Sequence, residues 1–131
     1  MPRPVHFEIH ASDPEKLRPF YENLFGWRFQ RWGEIPYWLI STAAADGDTS
    51  PGIDGALLPR PVPGPADGQA VNAFVVTVEV PDCAGYFQRA LDEGATEAVP
   101  VQAVAGVGWL AYIKDPDGNI LGLMQNDNTA S

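Results

Sequence analysis

A chain of 131 residues with 45% hydrophobic and 19% charged residues is long enough to bury a core and to fold alone as one domain. Its 17 acidic and 8 basic residues give a formal net charge of -9, which repels phosphate backbones and anionic lipid, so nucleic acid and membrane surfaces are not expected partners. Cys83 is the only cysteine, which excludes an internal disulfide framework, and because no signal peptide or membrane span is expected, we predict a soluble cytoplasmic protein.

The first predicted strand has one apolar and one polar face. Residues 5–11 alternate between the two kinds of side chain, with the period of two that is typical of a half-buried strand. His6, Glu8 and His10 fall on one side, and the apolar side chains between them are expected to seat a helix. The polar triplet is therefore expected to face a cavity or its rim.

A helix is predicted immediately after this strand. Ser12 and Glu15 have the spacing of a capping box, and an apolar stripe follows at i, i+3, i+4 and i+7. Gly26 stands where a left-handed residue ends a helix, whereas Pro19 lies inside the helix and predicts a bend. Three strands are predicted next, over residues 27–32, 37–42 and 53–58.

The second half of the chain predicts the same order of elements. Four prolines and two glycines within residues 59–70 indicate a linker. Beyond it, the β-branched run at residues 73–80 predicts a central strand, and a helix with Cys83 on its apolar face ends at Gly94. A turn with the sequence DPDGN joins the last two of three further strands, over residues 97–104, 108–114 and 120–125.

Each half therefore has the order βαβββ, which indicates an α+β fold made of two modules, about 3–58 and about 71–126. An offset of 67 residues aligns the apolar stripes of the two predicted helices. We expect the two modules to pair within one domain and to enclose a concave cleft, which is the expected ligand site.

The segments HFEIHASDPEKLRPFYENLFGW, YWLI and GVGWLAYIKDPDGNILGLMQ resemble the vicinal oxygen chelate superfamily, which holds glyoxalase I, extradiol dioxygenases and bleomycin- or fosfomycin-resistance proteins. The resemblance covers nearly the whole chain. It implies the fold of two βαβββ modules, a small-molecule site and, in the metal-using members, a divalent ion held by His and Glu side chains from both modules.

The resemblance also implies that this metal site is degenerate. His6 matches the ligand position on the first strand, but the offset of 67 places Ala73 at the matching position of the second module. The glutamate expected four residues after the glycine of the DPDGN turn is replaced by Gly122, and residues 37–42 contain no acidic side chain for the remaining position. Because a catalytic zinc needs about three protein ligands, no metal cofactor is expected at the inherited site.

The triplet His6, Glu8 and His10 has two further interpretations. As three N/O donors on one strand face, these residues are the candidate ligands of a replacement metal site. As an acid–base set, Glu8 is the candidate catalytic base and His6 its neighbouring partner, with His10 in contact with the ligand. The alternative is a solvated polar strand face with no chemistry.

Large side chains near the predicted strands are candidate ligand-binding residues, because aromatic side chains suit a planar or apolar ligand. Adjacent strand residues must point to opposite faces, so one of each neighbouring pair is expected to pack under a helix. Met124 is predicted to lie beside the position without a side chain at Gly122, which suggests room for an apolar group. The candidates are Tyr37, Trp38, Trp109, Tyr112 and Met124.

These observations predict a glyoxalase/bleomycin-resistance/dioxygenase-like protein that binds a small organic molecule. One alternative is a protein that sequesters an antibiotic or a metabolite without reaction, for which the acidic charge favours a cationic ligand. The second is a metal-dependent lyase or dioxygenase that uses His6, Glu8 and His10. A homodimer is expected, because members of this superfamily commonly pair and because two four-stranded sheets leave edges that need cover.

Overall fold

The computed structural model describes residues 2–45 and 47–131, and these fall into two units divided between Gly64 and Pro65. Each unit contains one helix and one four-stranded mixed sheet, in the order βαβββ. The predicted α+β class and the two βαβββ modules are therefore confirmed. Among the described residues, no helix is long and apolar enough to cross a membrane.

The sheet of the first unit has the strand order β1-β4-β3-β2, with β1 at one edge. The first and last strands of the unit, β1 and β4, are parallel, and the other pairs are antiparallel. The elements are β1 (His6–Ala11), α1 (Pro14–Phe25), β2 (Arg28–Arg31), β3 (Trp38–Ser41) and β4 (Asp54–Pro59).

The start of α1 differs from the predicted capping box. The N-cap is Asp13, not Ser12, and Pro14 occupies the first turn, where the missing N–H of proline costs no hydrogen bond. The carbonyl of Asp13 accepts the first helical hydrogen bonds. The end is as predicted, because Gly26 is left-handed with φ 72°. The helix continues through Pro19.

The apolar face of β1 packs against the aromatic cluster at the end of α1. The ring centroids of Phe7 and Trp27 are 5.9 Å apart, and Trp27 stacks on Tyr21 of α1 at 5.3 Å with nearly parallel planes. Phe7 also lies against Gly55 of β4, where a Cβ atom would stand 2.8 Å from its ring. Because side chains alternate along a strand, the even-numbered residues of β1 face away from α1.

Replacing Phe7 with alanine is expected to lower the free energy of unfolding by about 3 kcal/mol, the low end for a phenylalanine, because the ring is only partly buried. Urea unfolding followed by tryptophan fluorescence measures the change. Val5→Ala is the matched control, because Val5 is 77% exposed and precedes the strand. A Phe7→Ala loss no larger than that of Val5→Ala would contradict this packing.

The sheet of the second unit has the strand order β5-β8-β7-β6 and repeats the topology of the first. Strands β5 and β8 are parallel, and β8, β7 and β6 are antiparallel neighbours. The elements are β5 (Val76–Glu79), α2 (Cys83–Asp92), β6 (Thr96–Val104), β7 (Gly108–Lys114) and β8 (Ile120–Asn126).

Two expectations for the second unit are wrong. The β-branched run was predicted to form a central strand, but β5 is a four-residue strand at the edge of its sheet. It pairs with β8 on one side, has no strand of the sheet on the other, and is exposed along most of its length. The offset of 67 is wrong for α2, because Ala84 is exposed whereas Cys83 and Ala90 are buried.

The DPDGN turn between β7 and β8 is built around a buried carboxylate. Asp115 is 3% exposed, and its side chain accepts hydrogen bonds from the backbone N–H groups of Asp117 and Asn119 and from the Asn119 amide, each at 2.9 Å. The N–H of Gly118 donates to the Asp115 carbonyl at 2.9 Å, and Gly118 has φ 88°, a conformation that favours glycine. The turn thereby sets the register of β7 and β8.

Candidate functional site

The polar face of β1 carries a row of three ionisable side chains. Glu8 lies between two imidazoles, with Nε2 of His6 3.7 Å from one carboxylate oxygen and Nε2 of His10 3.7 Å from the other. The side chains are 45%, 42% and 46% exposed in the order His6, Glu8, His10. The alternation predicted from the sequence therefore places all three on the face of the sheet that α1 does not cover.

This face also holds groups from β4 and from the turn before β3. The hydroxyl of Tyr37 is 3.5 Å from Nε2 of His6. Asp54 stands opposite His6 in the register of β1 and β4, and its carboxylate accepts from the backbone N–H of Thr42 at 2.9 Å. The row thus has a phenol and a second carboxylate at its His6 end.

The turn between β2 and β3 presents an exposed indole beside Tyr37. The backbone N–H of Trp32 donates to the Tyr37 carbonyl at 2.8 Å, and 58% of Trp32 is exposed. The guanidinium of Arg31 holds the turn by donating to the carbonyls of Glu34 and Ile35, at 3.1 and 3.2 Å. The sequence predicted Trp32 as the last residue of the strand over 27–32, but β2 ends at Arg31 and Trp32 lies in the turn that follows.

Trp38 lies on the opposite face from Tyr37. It is 4% exposed, stands in register with Leu57 of β4, and has the guanidinium of Arg31 5.2 Å from its ring centroid. Leu57 is in turn opposite Ile9, which is on the α1 side of β1. The structure therefore brings Tyr37, but not Trp38, to the face that carries His6, Glu8 and His10.

In the second unit, Tyr112 and Met124 share one face of the sheet and Trp109 lies on the other. Tyr112 is in register with Gly122, and Met124 is two residues farther along β8. Trp109 is in register with Gln125, whose side-chain oxygen accepts from the N–H of Cys83 at the start of α2.

The indole of Trp109 holds the segment that follows β8. Its Nε1 donates to the carboxylate of Asp127 at 3.2 Å, and the hydroxyl of Thr129 donates to the same carboxylate at 2.6 Å. Hydrogen bonds from the Thr129 hydroxyl and backbone, and then from Trp109, hold the pKa of Asp127 below its ordinary value. Trp109 therefore has a structural partner on the α2 side of the sheet.

The space beside Gly122 is filled. A Cβ atom at Gly122 would stand 2.8 Å from the hydroxyl oxygen of Thr77 and 3.1 Å from the ring of Tyr112. The expectation of room for an apolar group there is wrong, because β5 and β7 close in on both sides of the glycine. A glutamate at this position would require both neighbours to move.

The internal symmetry of the chain corrects the positions that match His6 and Gly122. The N-caps Asp13 and Asp82 are equivalent, so His6 corresponds to Val75 and not to Ala73. Gly122 pairs with Thr77 in the second unit, and Ala56 pairs with Glu8 at the equivalent place in the first unit. The ligand position of the first unit that matches Gly122 is therefore Ala56, and it does not lie within residues 37–42 as expected. The four positions thus hold one imidazole, one valine, one alanine and one glycine.

This set of side chains does not fit a metal ion of the kind that the resemblance implies. Only His6 offers a donor, and the place of the missing glutamate is taken by Tyr112 and Thr77. In the alternative metal site predicted from His6, Glu8 and His10, the Cα atoms of the two histidines are about 13 Å apart along β1, with Glu8 between them. Among residues 2–45 and 47–131, the structure has no group of three His, Cys, Asp or Glu side chains that could hold a metal ion.

The row of side chains on β1 has acid–base chemistry, with long contacts between its carboxylate and its imidazoles. At 3.7 Å, the contacts of Glu8 with His6 and His10 are longer than hydrogen bonds, so neither imidazole is oriented by the carboxylate in this structure. Catalytic hydrogen bonds are often long in ligand-free enzymes and shorten when substrate binds. The arrangement can therefore bind a polar ligand directly, and it can transfer a proton only after the side chains close on that ligand.

Residues 3–123 match the family model for the Glyoxalase/Bleomycin resistance protein/Dioxygenase superfamily. The chain belongs to this superfamily. The superfamily contains the two-module fold described above, and the match extends from before β1 into β8. The resemblance stated from the sequence is therefore confirmed. No curated protein sequence matches the chain.

Solved structures share the fold of this chain at low sequence identity. A glyoxalase-related enzyme from Fulvimarina pelagi is 18% identical with a TM-score of 0.69, covering 100% of this chain and 98% of that chain. A glyoxalase/bleomycin resistance protein/dioxygenase family enzyme from Burkholderia phytofirmans PsJN is 13% identical with a TM-score of 0.70, covering 94% and 98%. TioX from Micromonospora sp. ML1 is 19% identical with a TM-score of 0.65, covering 96% and 100%.

Proposed function

We propose that this member of the superfamily binds a small organic molecule on the face of its first sheet that carries His6, Glu8, His10 and Tyr37. The observation that supports this proposal most directly is the row of half-exposed ionisable side chains, with Tyr37 3.5 Å from His6 at one end. Residues of this kind on an open sheet face provide hydrogen bonds to a ligand that a purely structural strand does not need.

The proposed ligand is cationic and has a flat apolar part. Glu8 and Asp54 place two carboxylates on this face, and the chain has a net charge of -9 that attracts cations. Tyr37 and the exposed Trp32 offer aromatic surface against which a flat group can stack. The cleft between the two modules, which the sequence led us to expect as the ligand site, stays a prediction.

In the enzymatic form of this proposal, the protein is a glyoxalase- or dioxygenase-like enzyme with Glu8 as the base and His6 as its partner. In the alternative form, the protein sequesters its ligand unchanged. The four positions that correspond to metal ligands in the superfamily support the alternative. A base that removes a proton beside a carbonyl needs an electrophile, ordinarily a metal ion, to stabilise the developing negative charge. Of the four ligand positions, only that of His6 still carries a metal-binding side chain. Turnover of the bound ligand separates the two.

A second alternative, a metal-dependent lyase or dioxygenase built on His6, Glu8 and His10, leads to a direct test. We expect the purified protein to retain no stoichiometric divalent metal after dialysis against zinc, nickel, manganese or iron, measured by plasma mass spectrometry. Uptake of one ion per chain that disappears in His6→Ala and persists in an Arg3→Ala control would contradict this expectation.

The ligand itself is tested by native mass spectrometry of the freshly purified protein, followed by calorimetric titration with the molecule identified. Glu8→Gln is expected to weaken binding about tenfold through the loss of one charge contact with the ligand, while the thermal midpoint stays within a few degrees. Glu97→Gln, an exposed glutamate on the β6 edge of the other unit, is the matched control. Equal affinities of both variants and wild type would exclude Glu8 from the site.

We also propose that the protein resides in the cytoplasm. The support is that Cys83, the only cysteine in the sequence, is buried in α2. Burial, and to a smaller extent the carboxylate of Asp82, raises the pKa of this thiol above its ordinary value. A thiol of this kind is inert and needs no oxidising compartment.

A further inference from the structure

The polar row of β1, which consists of His6, Glu8 and His10, has a charged residue of the neighbouring chain segment near each end. Asp54, the first residue of β4, is exposed and stands in register with His6. Arg60 directly follows β4 and is half-buried at the other end, because the last pairs of the register are those of His10 and Ala11. The two charges at the ends of the row are therefore of opposite sign.

The guanidinium of Arg60 is held against the end of β1. Its Nη2 donates a hydrogen bond to the carbonyl of His10 at 2.8 Å, and its backbone N–H donates to the carbonyl of Ala11 at 2.9 Å. A guanidinium is always protonated and a carbonyl is neutral, so this hydrogen bond leaves the positive charge in place. The His10 end of the row thus combines a permanent positive charge with an imidazole that is 46% exposed.

Negative charge occupies the middle of the row and its His6 end. The carboxylate of Glu8 is 42% exposed in the middle. The carboxylate of Asp54 is held in position by Thr42, whose backbone N–H and hydroxyl donate to it at 2.9 and 3.2 Å. Along β1, the Cα atom of His10 is about 7 Å from that of Glu8 and about 13 Å from that of His6. The face is therefore polarised over the length of a small molecule.

We propose that the ligand of this face is a zwitterion, with its cationic group at Glu8 and Asp54 and a carboxylate at His10 and Arg60. The inference rests on the proposed function, because the cationic group is the one assigned there. A guanidinium beside an imidazole is a donor set that suits a carboxylate. A carboxylate is favoured over a phosphate, because a chain with a net charge of -9 repels a second negative charge.

The remaining arginines of the first sheet are placed less well for this role. Arg31 has its guanidinium 5.2 Å from the ring centroid of Trp38, on the face that α1 covers. Arg28 has the opposite parity and is in register with Ser41, but β2 lies three strands from β1, a distance of about 14 Å. Arg28→Gln is therefore a matched control, because it removes the same charge from the same face at another place.

Three benzene derivatives test the proposal by calorimetric titration. In 4-(2-aminoethyl)benzoate the two charges lie on opposite sides of a flat ring, whereas 4-(2-aminoethyl)benzamide lacks the negative charge and 4-ethylbenzoate lacks the positive one. The wild type is expected to bind the zwitterion about fivefold more tightly than the amide. Arg60→Gln is expected to remove this preference without weakening the amide, and Arg28→Gln is expected to keep it.

A second variant separates ligand binding from a purely structural role of Arg60. Arg60→Lys keeps the charge, so it should keep most of the preference even if the thermal midpoint falls with the lost hydrogen bond to His10. A preference that is lost in Arg60→Lys as fully as in Arg60→Gln would show that Arg60 only clamps β1, and it would overturn the proposal.

The three compounds also distinguish a failure of this inference from a failure of the proposed function. Equal affinities for the zwitterion and the amide, or a preference that Arg28→Gln removes and Arg60→Gln does not, would overturn the inference and leave the cationic ligand. Equal affinities for the zwitterion and 4-ethylbenzoate, with no effect of Glu8→Gln, would overturn the cationic site itself. Absence of binding by all three compounds at millimolar concentration would overturn both.

Discussion

The Asp115→Ala variant is expected to be less stable than the wild type by about 4 kcal/mol, because three donors of the turn between β7 and β8 lose their acceptor and each costs about 1 to 3 kcal/mol when left unpaired, less where water reaches it. Asp115 as a whole is 3% exposed, so little water replaces its carboxylate. Urea unfolding, together with hydrogen exchange of β7 and β8, measures the loss.

The Asp115→Asn variant is the graded control for this expectation. The asparagine keeps one oxygen for the backbone N–H groups of Asp117 and Asn119 but turns an amide toward the Asn119 side chain, where an acceptor is needed. It should therefore lose about 1 to 2 kcal/mol. Equal stability of the alanine and asparagine variants would show that the hydrogen bonds of this turn do not hold β7 and β8 in register.

The Gly122→Glu variant introduces the glutamate that the superfamily resemblance leads one to expect at this position. It should not gain metal binding, and its free energy of unfolding should fall by about 4 kcal/mol. A Cβ atom there meets the Thr77 hydroxyl at 2.8 Å and the Tyr112 ring at 3.1 Å, and overpacking of this kind costs about 1 to 3 kcal/mol. The carboxylate adds the cost of a charge placed at a buried position beside an aromatic ring.

A second substitution shows whether crowding is the cause. Thr77→Ala removes the hydroxyl that the new side chain meets first, so it should restore part of the stability lost in Gly122→Glu while changing the wild type little. Thermal unfolding of the wild type, the two single variants and the double variant, which together form a double-mutant cycle, measures the coupling energy between the two positions. A stable Gly122→Glu protein that binds one zinc per chain would refute the closed-site interpretation.

Local pattern was enough to predict the elements that depend on nearby residues. The alternation of residues 5–11 placed His6, Glu8 and His10 on one face, and Gly26 ended α1 as a left-handed residue. The DPDGN sequence formed the turn that it predicts, because Asp, Gly and Asn each satisfy a local requirement of the backbone there. These features need no knowledge of which strands become neighbours.

Features that depend on the order of strands in a sheet could not be predicted from local sequence pattern. The run before Glu79 has the composition of a buried central strand, and only the position of β8 shows that β5 is an edge. In the same way, the register of β3 with β4 decides that Trp38 is buried and that Tyr37 faces His6, since either choice satisfies the alternation. The loss of space at Gly122 results from Thr77 and Tyr112, which are distant in sequence.

The parallel pairing of the first and last strand of each unit has a consequence for how the chain is made. During synthesis β1 emerges first, but its hydrogen-bonding neighbour β4 follows only after α1, β2 and β3. The same holds for β5 and β8. Because contacts between distant residues form late and slowly, the hairpins within each unit should form before its opening strand docks. The opening strand of each unit is therefore the segment most open to chaperones, proteases and mispairing while the protein is being made.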